Sequence, residues 1–344
     1  MAKVMDTIEL EKRLTRFLDA QMPGRKVSVQ SLTALAGGYS RVTHRAEVLW
    51  DDRTAQQLLL RADPVDGSTV FDSNRDEEWS LLVALDKVEQ ITIPTPLWYD
   101  ASGEYFDAKC MVVEFCEGVS LQSQIDGGSD LDTATKTIAE IAAQIHSVPI
   151  DALGKQMSHP TNWDDYIDSI IDIFDSTERS IGESIPALRY VPAWLRSHRP
   201  EPVPLTLVHG DFQPTNVLMT PTGERLLIDW EFGRIGDPRE DLGYYFQWPM
   251  PPNLIKRDPD ALLAHYRSLT GLSESQVNIE VVHYFLMVGM ARLLSQIVKA
   301  VDRLDQGRGG GAMTTYLINT ISYQCNEYLQ NIQSQHEYRG GGAA

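Results

Sequence analysis

Residues 207–243 read LVHGDFQPTNVLMTPTGERLLIDWEFGRIGDPREDLG. Two short apolar runs, 217–219 and 226–228, flank the polar segment Thr220-Pro221-Thr222-Gly223-Glu224. Proline presets one turn dihedral and glycine accepts positive φ, so this spacing predicts a β-hairpin. A hairpin brings its ends together. Asn216, just before the first strand, is therefore expected beside Asp229, just after the second, with Asp211 one loop earlier. An amide oxygen and two carboxylates at the mouth of one hairpin can hold Mg²⁺ and accept a proton, which is what phosphoryl transfer requires.

His209-Gly210-Asp211, four residues and then Asn216 has the spacing of the kinase catalytic loop H-R-D-x-x-x-x-N, with Gly in place of Arg. Ile228-Asp229-Trp230-Glu231 falls where the D-F-G motif would fall. With these motifs the chain resembles the aminoglycoside phosphotransferase and choline kinase family. An acidic, merely solvated hairpin would not need Asn at this spacing. The resemblance implies an α+β, two-lobed protein-kinase-like fold. Residues 1–116 would form an N-terminal nucleotide-binding lobe, an antiparallel sheet with one key helix. Residues 117–344 would form a larger, mostly helical catalytic and substrate-binding lobe. It also implies ATP and Mg²⁺ as cofactors and a small-molecule hydroxyl as acceptor.

Composition bounds the rest. A chain of 344 residues with 42% hydrophobic content can bury one large or two modest cores. The net charge of −18 and pI near 4.8 argue against a general nucleic-acid or anionic-membrane surface. A local cradle of amides, Arg and Mg²⁺ can still hold ATP against that field. An acidic cleft would suit a cationic substrate, although most of the excess acid is expected on solvated surface. Cys110, Cys116 and Cys325 form no C-x-x-C pair or zinc spacing, and the opening MAKVMDTIELEKRL shows no secretory leader, which points to the cytoplasm. The apolar run 279–301 carries Glu280, His283, Arg292 and Lys299, so it reads as a buried core helix rather than a membrane span.

In chain order, 6–22 reads as an amphipathic helix and 27–36, 42–50 and 55–61 as three strands. Gly37, Gly38 and Ser40 form the candidate phosphate flap, since glycine lets backbone amides approach phosphate oxygens. Read without the resemblance, Gly-Gly between strands is a hairpin turn. Arg61 ends the third strand where a kinase would place its ATP-phosphate lysine, and Arg can bind phosphate bidentately. The alternative is a snorkelling edge-strand Arg. Kinase-like domains fused to acyl-CoA dehydrogenases carry such an Arg. The helix expected over 72–88 places Glu78 where the family pairs a glutamate with that cation, with Glu77 beside it. Glu114-Phe115-Cys116-Glu117-Gly118 resembles the hinge between kinase lobes, where backbone groups near Glu114 and Cys116 would read adenine.

Beyond Gly118 the expected helices are 132–148, 163–174, 187–196, one opened by Asp258-Pro259 and stopped by Gly271, a long apolar one entered through a Ser273/Gln276 capping box, and 312–333. Asp211 is the candidate catalytic base, and Asn216 and Asp229 are the candidate metal ligands. His209 is expected to brace the loop. Glu231 could touch a second Mg²⁺ or stand behind the first, while Asp237 and Asp241 read as scaffold in a G-D-P-x-x-D-L run that the family shares. No activation segment ending in A-P-E follows Asp229, which argues for a small-molecule acceptor over a peptide. A pseudokinase or nucleotide-binding module is the other reading, with Arg61 as its support. Residues 260–271 and the apolar helix after them resemble the acyl-CoA-dehydrogenase-associated branch, which implies a hydroxyacyl-CoA acceptor. Aminoglycosides and choline-like alcohols stay open.

Overall fold

Leu10, Leu14, Phe17 and Leu18 recur at helical spacing, and α1 (Thr7–Gln21) buries all four. Three antiparallel strands follow, β1 (Val27–Ala34), β2 (Val42–Trp50) and β3 (Ala55–Ala62). Next come α2 (Arg75–Leu85), β4 (Pro96–Asp100) and β5 (Cys110–Glu114). A computed structural model describes residues 7–35, 41–64, 73–128, 130–154, 157–181, 186–247 and 258–305. The strands form one antiparallel sheet in the order β1-β2-β3-β5-β4. Pro96 is tolerated in β4 because that strand lies at the sheet edge.

The two faces of β3 have different tasks. Leu58 and Leu60 pack with α1 residues Leu14 and Phe17 in one apolar cluster. Side chains alternate along a strand, so Arg61 faces the other way, toward α2. There Met111 of β5 joins Leu81, Leu82 and Leu85 of α2 in a second cluster that continues into the rest of the chain.

The chain then runs through β6 (Val119–Ser120), α3 (Leu121–Asp126), α4 (Leu131–His146), α5 (Trp163–Ile181) and α6 (Pro186–Ser197). Four short strands follow: β7 (Thr206–Val208), β8 (Val217–Met219), β9 (Arg225–Leu227) and β10 (Arg234–Gly236). Three helices close the described chain, α7 (Arg239–Gln247), α8 (Pro259–Thr270) and α9 (Ile279–Asp305). The helix expected over 312–333 lies outside the described residues.

The short strands position the site. β8 and β9 form the expected hairpin, and β6 adds a third strand beside β8. β10 pairs with β7, Arg234 opposite Val208, so the chain leaving the hairpin is clamped to the chain entering the loop before it. Asp258 caps α8 by accepting from the Ala261 amide, and left-handed Gly271 (φ 73°) ends it. Ser273 and Gln276 make the reciprocal capping-box bonds, but on a turn ahead of the helix. Asn278, whose side chain accepts from the Val281 amide at 3.0 Å, is the residue that opens α9. Among the described residues, α9 is the one helix long and apolar enough to cross a membrane, and half of its most apolar window is buried. Its contact with α7 is close: a Cβ on Gly243 would lie 2.5 Å from the Leu286 amide nitrogen.

Candidate active site

The Ile228 amide donates to the Asn216 carbonyl at 3.0 Å, closing the hairpin one residue beyond its strands. Asn216 and Asp229 are thereby brought together at the hairpin's mouth. Asn216 ends a single 3₁₀ turn whose first residue is Pro214, and its Nδ2 donates to the Asp211 carbonyl at 2.9 Å and to Asp211 Oδ2 at 2.7 Å. Gln213 Nε2 holds Asp211 Oδ1 at 2.9 Å. The neighbours of the two acids anchor them: Phe212 and Trp230 are each 1% exposed. Burying a ring such as Phe212 contributes about 1.5–3 kcal/mol, enough to fix the loops that carry the polar groups. Asp229 itself has φ 65°, a left-handed conformation that costs a non-glycine residue about 1–2 kcal/mol.

Burial pushes the Asp211 carboxyl up to about 7, and the charge of Asp229 acts in the same direction. Hydrogen bonds from Tyr244, Asn216 and Gln213 oppose the rise without cancelling it. A carboxyl poised there suits a general base working near neutral pH. His209 takes a different part. Its Nδ1 accepts from the Asp211 amide at 3.3 Å and its Nε2 donates to the Ile228 carbonyl at 2.9 Å. One nitrogen accepts and the other donates, which is the pattern of a neutral imidazole. Burial lowers its pKa, in agreement. The ring links the loop to the hairpin and packs against Trp230, tilted by 38° with the ring centroids 4.6 Å apart.

Asp241, read in sequence as scaffold, holds the loop from below. It accepts from the His209 amide at 2.8 Å and the Gly210 amide at 2.9 Å, and His146 Nε2 lies 3.1 Å away. Asp237 is fully buried and accepts from Arg239 Nε at 2.8 Å and from Trp163 Nε1 at 2.6 Å. Gly210 carries φ +77°, and a Cβ there would overlap the Phe232 carbonyl.

Arg61 reaches this hairpin from the N-terminal sheet. Its Nη1 donates to Glu78 Oε1 at 3.1 Å, while its Nη2 pairs with Asp229 Oδ1. The glutamate pairing thus falls to Glu78. Glu77 lies on the exposed side, where its Oε1 accepts from Asn74 at the helix cap. The flat guanidinium fork spans two carboxylates on different elements, which a lysine point charge would not do with fixed geometry. The network continues. Arg75 pairs with Glu78 and reaches Asp63 at 2.8 Å, while Arg41 reaches Asp63 at 3.2 Å and Glu231 at 3.0 Å. Three guanidinium groups thus face four carboxylates, Asp63, Glu78, Asp229 and Glu231, a balance of −1.

Sequence reasoning singled out Arg61, Glu78, Asp229 and Glu231 here but missed Arg41, Asp63 and Arg75. Arg75 could have been found, since it stands three residues before Glu78 on one helix face. Asp63 and Arg41 carry no such signal, because their partners are distant in sequence. Also missed was a group under the loop formed by Tyr166, Arg234, Glu240 and Arg292.

The remaining expected nucleotide contacts divide. Gly37, Gly38 and Ser40 lie outside the described residues. Glu114 ends β5, and its amide already donates to the Thr95 carbonyl at 2.9 Å. A main-chain donor to adenine would therefore come from farther along, at Cys116. The Cys116 thiol is pushed up by burial and by Glu114, so it is no reactive thiolate.

The donor set fits Mg²⁺. Both side-chain hydrogen bonds of Asn216 use Nδ2, so Oδ1 is the face left for a ligand, and Asp229 keeps Oδ2 beyond its pair with Arg61. Among the described residues no group of three or more His, Cys, Asp or Glu gathers into a metal site. Mg²⁺ needs no such group where substrate phosphates and water complete an octahedron around one or two protein oxygens.

The model of the "Phosphotransferase enzyme family" matches residues 31–272. Acyl-CoA dehydrogenase family member 10 of Mus musculus is 28% identical over 202 residues, covering 55% of this chain and 18% of that protein. Family member 11 of Gallus gallus is 24% identical over 314 residues, covering 83% of this chain and 39% of that protein. The chain therefore spans well under half the length of these curated relatives. Among solved structures, a Ralstonia eutropha protein assigned provisionally to the aminoglycoside phosphotransferases superposes with TM-score 0.64 at 19% identity, covering 91% of this chain and 95% of that one. A thermostable mutant of aminoglycoside phosphotransferase APH(4)-Ia, in ternary complex with ADP and hygromycin B, gives TM-score 0.55 at 19% identity, covering 90% and 98%. The GDP complex of an aminoglycoside 2'-phosphotransferase-IIIa mutant gives TM-score 0.61 at 14% identity, covering 93% and 98%. These likenesses identify the two-lobed kinase-like fold.

Proposed function

The chain belongs to the phosphotransferase enzyme family and is a small-molecule kinase, and from that premise we propose that it moves the γ-phosphate of MgATP onto an alcohol. The observation that carries the reading is the meeting of Asp211, Asn216 and Asp229 at the closed mouth of the β8–β9 hairpin. In it, Asp211 accepts the proton of the attacking hydroxyl and orients that oxygen. Asn216 Oδ1 and Asp229 hold the metal. Held by these residues, Mg²⁺ would supply positive charge that offsets the charge of the phosphates during transfer. The surplus negative charge of the carboxylate–guanidinium network supports this assignment, because a bare tetra-anionic nucleotide would be repelled there. Arg61, positioned by Glu78, contributes the phosphate contact, Gly37, Gly38 and Ser40 are the proposed phosphate flap, and Glu114 and Cys116 are the proposed adenine-reading positions.

Residues 1–116 would be the nucleotide lobe and 117–344 the catalytic and acceptor lobe. The proposed acceptor is a hydroxyacyl-CoA or similar hydroxylated metabolite, supported by the likeness to acyl-CoA dehydrogenase family members 10 and 11. Aminoglycosides are the second candidate class, supported by the structural neighbour with hygromycin B. The proposed compartment is the cytoplasm, where the free thiols Cys110 and Cys116 would stay reduced.

An ATP-consumption screen over hydroxyacyl-CoAs, aminoglycosides and simple alcohols tests the reading, with Asp211→Asn and Asp229→Asn as controls. Acceptor-dependent ADP release should fall steeply in both variants, with Mg²⁺-assisted nucleotide binding lost only in Asp229→Asn. Turnover unchanged in Asp211→Asn would remove that residue as the base. MgATP binding without transfer to any acceptor would instead favour a nucleotide-binding module, the role to which the direct Arg61–Asp229 pair lends support.

A further inference from the structure

Below the catalytic loop, two arginines converge on one carboxylate. Arg234, the first residue of β10, donates from Nη1 to the Phe232 carbonyl at 2.8 Å, from Nε to Tyr166 Oη at 3.3 Å, and from Nη2 to Glu240 Oε2. Arg292 comes from the middle of α9, and its Nη2 lies 3.3 Å from Tyr166 Oη and 3.4 Å from Glu240 Oε2. Tyr166 donates to the other Glu240 oxygen. Four elements, α5, β10, α7 and α9, thus deliver one residue each to one spot.

The cluster is more cationic than its own cohesion requires. A single guanidinium neutralises Glu240, and the second leaves a charge of +1. Donors are also in excess. Arg292 Nε is buried with no hydrogen-bond partner, and the two forks carry ten N–H groups against Glu240, Tyr166 Oη and the Phe232 carbonyl. The spot is not sealed: each arginine keeps 25% of its side chain open, while Glu240 is 6% exposed. It also adjoins the chemistry, because a Cβ on Gly210 would meet Arg234 Nη1 at 2.5 Å, and Gly210 directly precedes Asp211. In a chain of net charge −18, an open positive site touching the catalytic loop stands out from its background.

Resting on the reading of the chain as an alcohol kinase, we propose that Arg234 and Arg292 form an anion subsite of the acceptor pocket, holding a carboxylate or phosphate carried by the hydroxylated substrate. The guanidinium forks match such a group bidentately, and Glu240 with Tyr166 keeps both forks in place between turnovers. Anchoring the acceptor's anionic end there presents its hydroxyl toward Asp211 and sets specificity against neutral alcohols.

The test uses three matched acceptors: 4-hydroxybutyrate, 4-hydroxybutyl phosphate and neutral 1,4-butanediol. Each is titrated calorimetrically into the full chain saturated with Mg²⁺ and AMP-PNP, and assayed separately for phosphoryl transfer from ATP. At least one anionic ligand is expected to bind about tenfold or more tightly than the diol, and Arg292→Gln to erase about 10–100-fold of that preference. A Glu240→Gln variant, which keeps both arginines, should retain or increase it. Melting temperature and AMP-PNP affinity show that the variants are folded. Which anion wins separates a carboxylate source from a phosphate source. Equal binding of all three ligands, no binding of either anion, or a preference that survives Arg292→Gln overturns the subsite. Anion binding that depends on Arg292 without transfer would leave the subsite standing and count against the kinase reading, whereas transfer without anion preference would do the reverse.

Discussion

Arg61 on β3 and Asp229 beyond β9 are joined directly, guanidinium to carboxylate, across 168 positions of sequence. The same guanidinium holds Glu78, so one side chain ties the sheet, α2 and the catalytic hairpin together. In the proposed function, nucleotide and metal enter where this pair now sits, and Arg61 is shared between Asp229 and a phosphate.

That sharing predicts a graded response at position 61. Arg61→Ala should raise the KM for ATP about 10–100-fold, the equivalent of about one charge-assisted hydrogen bond. Arg61→Lys should recover part of the loss, because it restores the charge but not the fork. Steady-state kinetics of the three proteins decide the matter, and an unchanged KM in the alanine variant would reduce Arg61 to a structural tie.

Asp211→Asn should lower phosphoryl transfer by about 10²–10⁴-fold while MgATP still binds. The same variant carries a pH signature in metal-free buffer. The folded carboxyl stands at about 7, above its ordinary value of 3.8, because it is buried. A raised carboxyl contributes stability in full below the unfolded value and loses it as pH rises through the folded value. Above pH 7 the wild type therefore carries a buried charge whose cost has an upper limit of about 4 kcal/mol at 1.36 kcal/mol per pKa unit. The stability of Asp211→Asn relative to wild type should grow from pH 4 to pH 7 and level off above. Chemical denaturation across that range checks it, and a flat difference would contradict the assignment.

Asp241 should show the opposite slope. Burial alone would raise its pKa, but the bonds from the His146 side chain and the His209 amide help outweigh burial and hold the carboxyl below the usual range. A depressed carboxyl gives stability that is present above the unfolded value and lost as pH falls through the folded one. Asp241→Asn should cost about 1–3 kcal/mol at pH 7, since it breaks buried bonds to the loop amides. The gap to wild type should narrow below pH 4. Activity should fall as well, because the His209 and Gly210 amides lose their anchor.

Gly210→Ala combines a left-handed φ of +77° with a Cβ 2.5 Å from Arg234 Nη1. It should lower kcat at least about tenfold, on the grounds that small misplacements of catalytic groups are costly. Gly271→Ala is the control: its φ is +73°, in the left-handed region, but nothing lies within 4 Å of the added carbon. Both variants pay the left-handed backbone cost of about 1–2 kcal/mol, so the difference in kcat between them isolates the effect on the loop.

Some of this was written locally. The hairpin follows from a Pro-Gly turn between two apolar triplets, and its closure by Ile228 and Asn216 follows from strand geometry. The placement of Asp211, Asn216 and Asp229 was therefore legible as spacing, and so were α1 and the Asp258-to-Gly271 helix, whose caps lie within a few residues of what they cap. Tertiary structure alone decided between Glu77 and Glu78, because only the packing of α2 on the sheet says which of two adjacent carboxylates is buried. It alone brought Arg41, Arg61 and Arg75 to the same four carboxylates, and Arg234 and Arg292 to one glutamate. Turns and caps are set by dihedral preferences over a handful of residues. A buried ion network is set by which side chains the folded chain happens to bring within 4 Å, and charge carries no period along the sequence that would reveal its partner.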